Sequence, residues 1–146
     1  MLSQFFTTEE FEFSPTATRH ELINKMDEIC LGRARELCIN VLDVIRIHYN
    51  SPLIITSGFR SLKVNLLVGG SMTSQHCKGM AADFHVLGKS TQEVFQDIKV
   101  GKIEGLKFDQ LINESGWVHI SFNRDQQRHQ CLIAHFSKTG VTYTNA

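Results

Sequence analysis

The strongest constraint on the fold is the hexapeptide Trp117-Val118-His119-Ile120-Ser121-Phe122, where two kinds of side chain alternate without a break. Successive side chains of a strand point to opposite faces of a sheet. Val118, Ile120 and Phe122 therefore share one face, suited to a core, and Trp117, His119 and Ser121 share the other. A tryptophan beside a histidine on that second face reads either as a cleft wall or as an ordinary strand buried on both sides. Upstream, Gln110-Leu111-Ile112-Asn113 is another short strand-like run, and the intervening Ser115-Gly116 reads as a hairpin turn.

The rest of the chain adds helices, mostly before the strands. Thr18-Arg19-His20-Glu21 has the pattern of a capping box and predicts a helix carrying Leu22, Ile23 and Met26. Ala34, Leu37, Val41, Val44, Ile45 and His48 recur at spacings of three and four, predicting one apolar helical stripe that Asn50, Ser51 and Pro52 end. Leu53-Ile54-Ile55-Thr56 predicts a buried strand and Met80 to Val86 a second. Residues 57–79, rich in glycine, serine and polar side chains, read as a long functional loop. Ser90-Thr91-Gln92-Glu93 opens a helix carrying Val94, Phe95 and Ile98 that ends near Gly101, and Cys131 to Phe136 with Val141-Thr142-Tyr143 form a last strand pair. The expectation is an α+β fold in a single domain over residues 1–146, a largely antiparallel sheet with helices packed on one face.

Composition narrows the function classes. Fifteen basic residues balance fifteen acidic ones, so no basic excess marks a nucleic-acid partner. No apolar run approaches the ~20 residues of a membrane span, so membrane insertion is not expected. Residues 1–10 lack a basic segment followed by an apolar core, so no secretory signal peptide is expected. Cysteines 30, 38, 77 and 131 form no Cys-x-x-Cys pair; the first two, eight residues apart on one helix, would lie about 12 Å apart, too far for a disulfide. Free thiols and a monomer are expected.

The densest chemical signal is Ser74-Gln75-His76-Cys77-Lys78-Gly79-Met80-Ala81-Ala82-Asp83. A loop can place His76, and the following strand Asp83, on one centre, with Gly79 relieving the turn and two alanines keeping bulk away. Zinc accepts imidazole nitrogen and carboxylate oxygen, and a catalytic zinc site commonly has three protein ligands and one open position. With His119, the two segments supply such a set. Taken alone, a histidine seven residues before an aspartate is a weak signal. His48, His129, His135 and Lys78 need no function, and His85 is either a neighbour of the site or structural.

These residues carry a family resemblance. Ser74-x-His76-x-x-Gly79-x-Ala81-x-Asp83 followed by Trp117-x-His119 resembles the zinc D-alanyl-D-alanine carboxypeptidase family, whose relatives include phage endolysin endopeptidases and vancomycin-resistance D,D-dipeptidases. Ser57-Gly58-Phe59-Arg60-Ser61, Asn65, Gly69-Gly70 and Phe108-Asp109-Gln110-Leu111-Ile112 extend the likeness, which runs from about Phe13 to Tyr143. The resemblance implies the hedgehog-type D,D-peptidase fold and one zinc ion held by His76, Asp83 and His119. It also implies that Arg60 stabilises the substrate carbonyl as it becomes an oxyanion, with Phe59 replacing the usual tyrosine. Gln75 and Ser74 are expected to bind substrate or orient the metal loop, and Trp117 to bind substrate.

One departure from the family matters. Relatives carry an acidic general base three residues before the second histidine, where this chain has Gly116. Glu114 is the first candidate to replace it and Asp109 the second; the third reading is that no protein base exists. The activity implied is hydrolysis of peptidoglycan stem peptides by an endolysin-like endopeptidase of phage or prophage type. The alternatives are a carboxypeptidase or dipeptidase trimming terminal D-alanine, and a non-catalytic zinc-containing peptidoglycan-binding module. The expected location follows: synthesis in the bacterial cytoplasm, then access to the wall by holin-type release or within a phage particle.

Overall fold

The computed structural model describes residues 1–146. Six strands form one mixed sheet: β1 Leu53–Ser57, β2 Ala81–Val86, β3 Gln110–Asn113, β4 Val118–Ser121, β5 Gln130–Ser137 and β6 Gly140–Asn145, in the order β1-β2-β4-β3-β5-β6. All neighbours are antiparallel except β3 and β5, which run parallel with Leu111 opposite Cys131. The α+β expectation holds, and the strand alternation decides the faces. Leu53, Phe84, Val118, Ile120 and Leu111 are buried in one core. Asp83 pairs with His119 and His119 with Ile112, so these three share the opposite face.

Helix α1, Thr8–Glu12, opens the chain and buries Phe11, and the core face is covered by α3 Glu28–Leu37, α4 Asp43–Tyr49 and α6 Thr91–Lys99. Asp27 caps α3 by accepting from the Cys30 N–H at 2.8 Å, and Ser90 caps α6 by accepting from Glu93 N–H at 3.1 Å. A wide π-type turn over Cys38–Leu42 joins α3 to α4. That extra residue per turn shifts the apolar stripe. Ala34, Leu37, Val41 and Ile45 stay buried, but Leu42 joins them, Val44 becomes half-buried and His48 is exposed, against the expected stripe. Asn50, left-handed at φ 47°, ends α4.

Four other expectations are corrected. No helix starts at Thr18. Ser14 and Pro15 instead start α2 Pro15–Arg19, with Ser14 Oγ accepting from Ala17 N–H, and Glu21 breaks the chain at φ 52°. Leu22 to Met26 run as irregular backbone because Asn24, buried, is spent on three long-range bonds: to the carbonyls of Glu12 (2.8 Å) and Phe59 (3.0 Å), and from Ser61 N–H (2.7 Å). The β1 strand, expected to be buried, is an edge strand, buried at Leu53 but exposed at Ile54. Residues 57–79 are not a continuous loop: Ser61 caps α5 Leu62–Leu67, and Ser74 caps a short 3₁₀ turn, Gln75–Lys78. With α2, α5 borders the cleft on the non-core side, so the helices are not confined to one face.

Gly79 ends the 3₁₀ turn at φ +70°, and a Cβ there would stand 2.5 Å from the Cys30 carbonyl oxygen. A side chain costs about 1–2 kcal/mol for the left-handed backbone alone, and the clash with α3 adds to it. Gly79→Ala is therefore expected to lower the urea unfolding midpoint clearly; an unchanged midpoint would show that α3 and the turn yield freely.

Candidate metal centre

His76 lies on the 3₁₀ turn, which Ser74 Oγ opens by accepting from His76 N–H at 3.3 Å. The turn is tied to the segment after β1 by Arg60 N–H donating to the His76 carbonyl at 3.3 Å. Its ring is oriented by Nδ1, which lies 2.7 Å from the Gly58 carbonyl oxygen. A proton on Nδ1 leaves Nε2 as a lone-pair donor. Asp83 and His119 sit opposite one another on β2 and β4. His76 Nε2, His119 Nδ1 and Asp83 Oδ1 form a triangle with edges of 3.2, 3.2 and 2.9 Å. Donors about 2.0–2.2 Å from one ion at tetrahedral angles stand about 3.3–3.5 Å apart. The three buried side chains therefore present a nearly formed set of ligand atoms to one ion. The donor set, two imidazoles and one carboxylate, suits zinc.

The charges agree with this arrangement. Burial by itself raises the Asp83 carboxyl, but His76 and His119 outweigh it and hold the group well below the ordinary carboxylate range. Its second oxygen, Oδ2, accepts from Arg60 Nη2 at 3.0 Å, while Arg60 Nε donates to Ser57 Oγ at 3.0 Å. A bulge between Ile55 and Ser57 at the end of β1 turns the chain so that Arg60 reaches the site. Two of the three candidate ligands thus have a partner holding them; His119 makes no hydrogen bond beyond the triangle.

Glu114 reaches the same cleft. Ser115 and Gly116 form a two-residue turn: Glu114 N–H donates to the Trp117 carbonyl at 3.1 Å, Gly116 N–H to the Glu114 carbonyl at 2.8 Å, and Ser115 takes φ 67°. Glu114 is therefore opposite Trp117, on the face of His119. Burial raises its carboxyl pKa, and the charge of Asp83 adds to the rise, while His119 and Arg60 oppose it. Asp109 is placed differently. Although buried at the cleft floor, both its oxygens are engaged, Oδ1 by Arg128 Nε at 2.7 Å and Oδ2 by Arg128 Nη2 and Gln75 Nε2, each at 2.8 Å. It is a brace between the 3₁₀ turn and the segment before β5.

Gln75 and Ser74 thus use their side chains to hold the turn, the first by Asp109 and the second by its cap. Trp117 lines the cleft, with its indole Nε1 buried and unpaired and its ring 6.4 Å from Phe136. Asn65, buried, donates to the Ser71 carbonyl at 2.8 Å, and a Cβ on Gly70 would collide with its side chain, which explains the glycine there. Of the histidines outside the triangle, His85 is half-buried on β2 and does not line the cleft, His129 packs on Phe108, and His48 and His135 are exposed. Lys78 is an exposed residue at the cleft rim. Sequence reasoning missed Arg128, which carries no local signal because its partner lies 19 residues away.

The Peptidase M15 family profile matches residues 4–121, most of the chain and all three corners of the triangle. The chain belongs to the peptidase M15 family. No curated protein matches it. Membership in M15 makes the chain a peptidase by descent, and its matched span starts earlier and ends earlier than the likeness read from motifs alone. The M15 cleft is open, about 1260 Å³, and its lining includes the triangle, Arg60, Glu114 and Trp117. No helix is long and apolar enough to cross a membrane.

Proposed function

We propose that this chain is a zinc-dependent peptidase that hydrolyses peptide bonds in peptidoglycan stem peptides, acting within the peptide as an endolysin-like endopeptidase. The observation that carries the reading is the convergence of the His76–Asp83–His119 triangle, Arg60 and Glu114 on one cleft. The open cleft favours an extended peptide over a terminal dipeptide, and so favours the endopeptidase over the carboxypeptidase or dipeptidase. Metal ligands, a cation and a free carboxylate together favour an enzyme over a binding module.

Zinc, when bound, supplies a Lewis acid that polarises a carbonyl and lowers the pKa of water toward ~7. The protein's own groups do the rest. Glu114 takes the proton from the attacking water and returns it to the departing amine. Arg60, fixed by Ser57 and Asp83, points its remaining N–H groups at the carbonyl oxygen as charge develops there. Ser74 and Gln75 keep the metal turn in place, and Trp117 bounds the substrate with its ring. The proposed setting is the bacterial wall, reached from the cytoplasm by holin-type release or in a phage particle, with the chain acting as one monomeric domain.

Incubation with purified peptidoglycan, with and without chelator, tests the reading. New amino termini inside the cross-linked peptide are expected, and none with chelator. Release of free D-alanine or a dipeptide would favour the trimming enzymes, and wall binding without new termini the non-catalytic module. Arg60→Ala is expected to lower kcat by about 100-fold while zinc stays near one per chain. Full activity in that variant would reduce Arg60 to a brace for Asp83.

A further inference from the structure

The β5–β6 hairpin lies outside the residues that the M15 profile matches, yet Leu132, Phe136, Val141 and Tyr143 line the same cleft as the metal triangle. The register explains how. Asn113 pairs with Ile133, and one step further along the parallel ladder sets Glu114 beside Ala134. Ala134 pairs in turn with Tyr143. Trp117 and Glu114, at the turn that joins β3 to β4, and Ala134 and Tyr143, on β5 and β6, thus line up on the site face. Ala134 is buried and has only a methyl group, so nothing tall stands between Tyr143 and Glu114. Arg60 follows β1 at one edge of the sheet and Tyr143 lies on β6 at the other, so the two approach the cleft from opposite sides.

We propose that Tyr143 is a further catalytic residue: its phenol hydroxyl donates a hydrogen bond to the scissile carbonyl oxygen from the wall opposite Arg60. The assignment rests on the peptidase reading above. The ring is 50% exposed, so substrate can meet it. Its hydroxyl has no hydrogen-bond partner within the protein; burial raises the phenol pKa, with Glu114 and then Asp83 adding to the rise and Arg60 opposing it. A phenol is protonated at neutral pH, hence a donor. Arg60 has already committed Nε to Ser57 and Nη2 to Asp83. A neutral donor on the facing wall completes the surroundings of a developing oxyanion. Phe136, against Trp117, supplies apolar cover beside it.

The test uses the zinc-loaded full chain, a soluble stem-peptide fragment as substrate, and Tyr143→Phe, which keeps the ring and removes the hydroxyl. The expected result is a fall in kcat of about 100-fold, KM within about twofold, and unchanged zinc content. Affinity for a phosphinic peptide, whose tetrahedral oxygens stand where the oxyanion develops, is expected to fall by a similar factor. A variant with the parent's kcat and phosphinate affinity, or one altered only in KM, would overturn the assignment while leaving the peptidase reading intact. A parent chain that cuts no stem peptide would overturn both.

Discussion

Replacing His119 by alanine is expected to abolish stoichiometric zinc binding and, with it, all peptide hydrolysis. The three donor atoms stand within 3.2 Å of one another, so His119 is one of only three protein donors offered to the ion. Two ligands that remain, His76 and Asp83, make an incomplete set for a metal that ordinarily takes three protein donors in a catalytic site. Stability gives an independent readout. A ligand that binds only the folded state stabilises it by about 4 kcal/mol at a thousand times its Kd, so zinc should raise the parent's Tm and leave the variant's unmoved. His85→Ala, on the same strand as Asp83 but apart from the cleft, serves as the control that keeps both zinc and the thermal shift. A His119→Ala protein that still holds one zinc per chain and shows the parent's shift would remove His119 from the site.

How much of this was legible in the chain depends on how local each signal is. The strands at 81–86, 110–113 and 118–121 and the helix at 91–99 fall within a residue or two of their expected places, because alternation and a serine cap act over a few neighbours. The Thr18–Glu21 motif fails for the converse reason. Its capping pattern is real, but a stronger start at Ser14-Pro15 precedes it, and Asn24 draws the next residues into bonds with Glu12, Phe59 and Ser61, which no local rule foresees. Helix α5 is hidden because Leu62, Leu66 and Leu67 are all exposed, so no apolar stripe marks it. The parallel pairing of β3 with β5 is equally invisible, since alternation reports a face and not a neighbour.

The candidate site divides along the same line. His76, Asp83 and His119 are separated by up to 43 residues, and the residues alone gave only weak reasons to join them; the family resemblance joined them. The hairpin at Ser115-Gly116 is legible only conditionally: a two-residue turn pairs Glu114 with Trp117 and a three-residue turn would put Asn113 there, and the bond from Glu114 N–H to the Trp117 carbonyl selects the first. The role of Asp109 could not, because the arginine that engages it comes from an irregular segment whose path depends on the whole sheet.

Glu114→Gln is expected to abolish hydrolysis while zinc content, fold and substrate affinity remain near those of the parent. The substitution keeps the side chain's shape and removes its basicity, so it separates proton transfer from packing. Glu114 suits that role on three counts. It shares a face with His119, its carboxylate has no hydrogen-bond partner in the protein, and burial moves its pKa up from the ordinary carboxylate value, toward that of an effective base near neutral pH. The competing carboxylate fails on the last two. Asp109 is bound through both oxygens, and although burial opposes it, the bonds from Arg128 and Gln75 hold its pKa below the ordinary range, making it a weaker base. Asp109→Asn should therefore act chiefly by loosening the 3₁₀ turn, costing stability and zinc affinity ahead of kcat, whereas Glu114→Gln should cost kcat alone. Positioned proton transfer contributes about 10²–10⁴-fold, so the Glu114 variant should fall by at least the lower figure. The decisive comparison is the pH profile of kcat/KM: its acidic limb, set by the general base, should be absent from any residual activity of the variant. If Glu114→Gln digests peptidoglycan at the parent rate with the acidic limb intact, the base lies elsewhere.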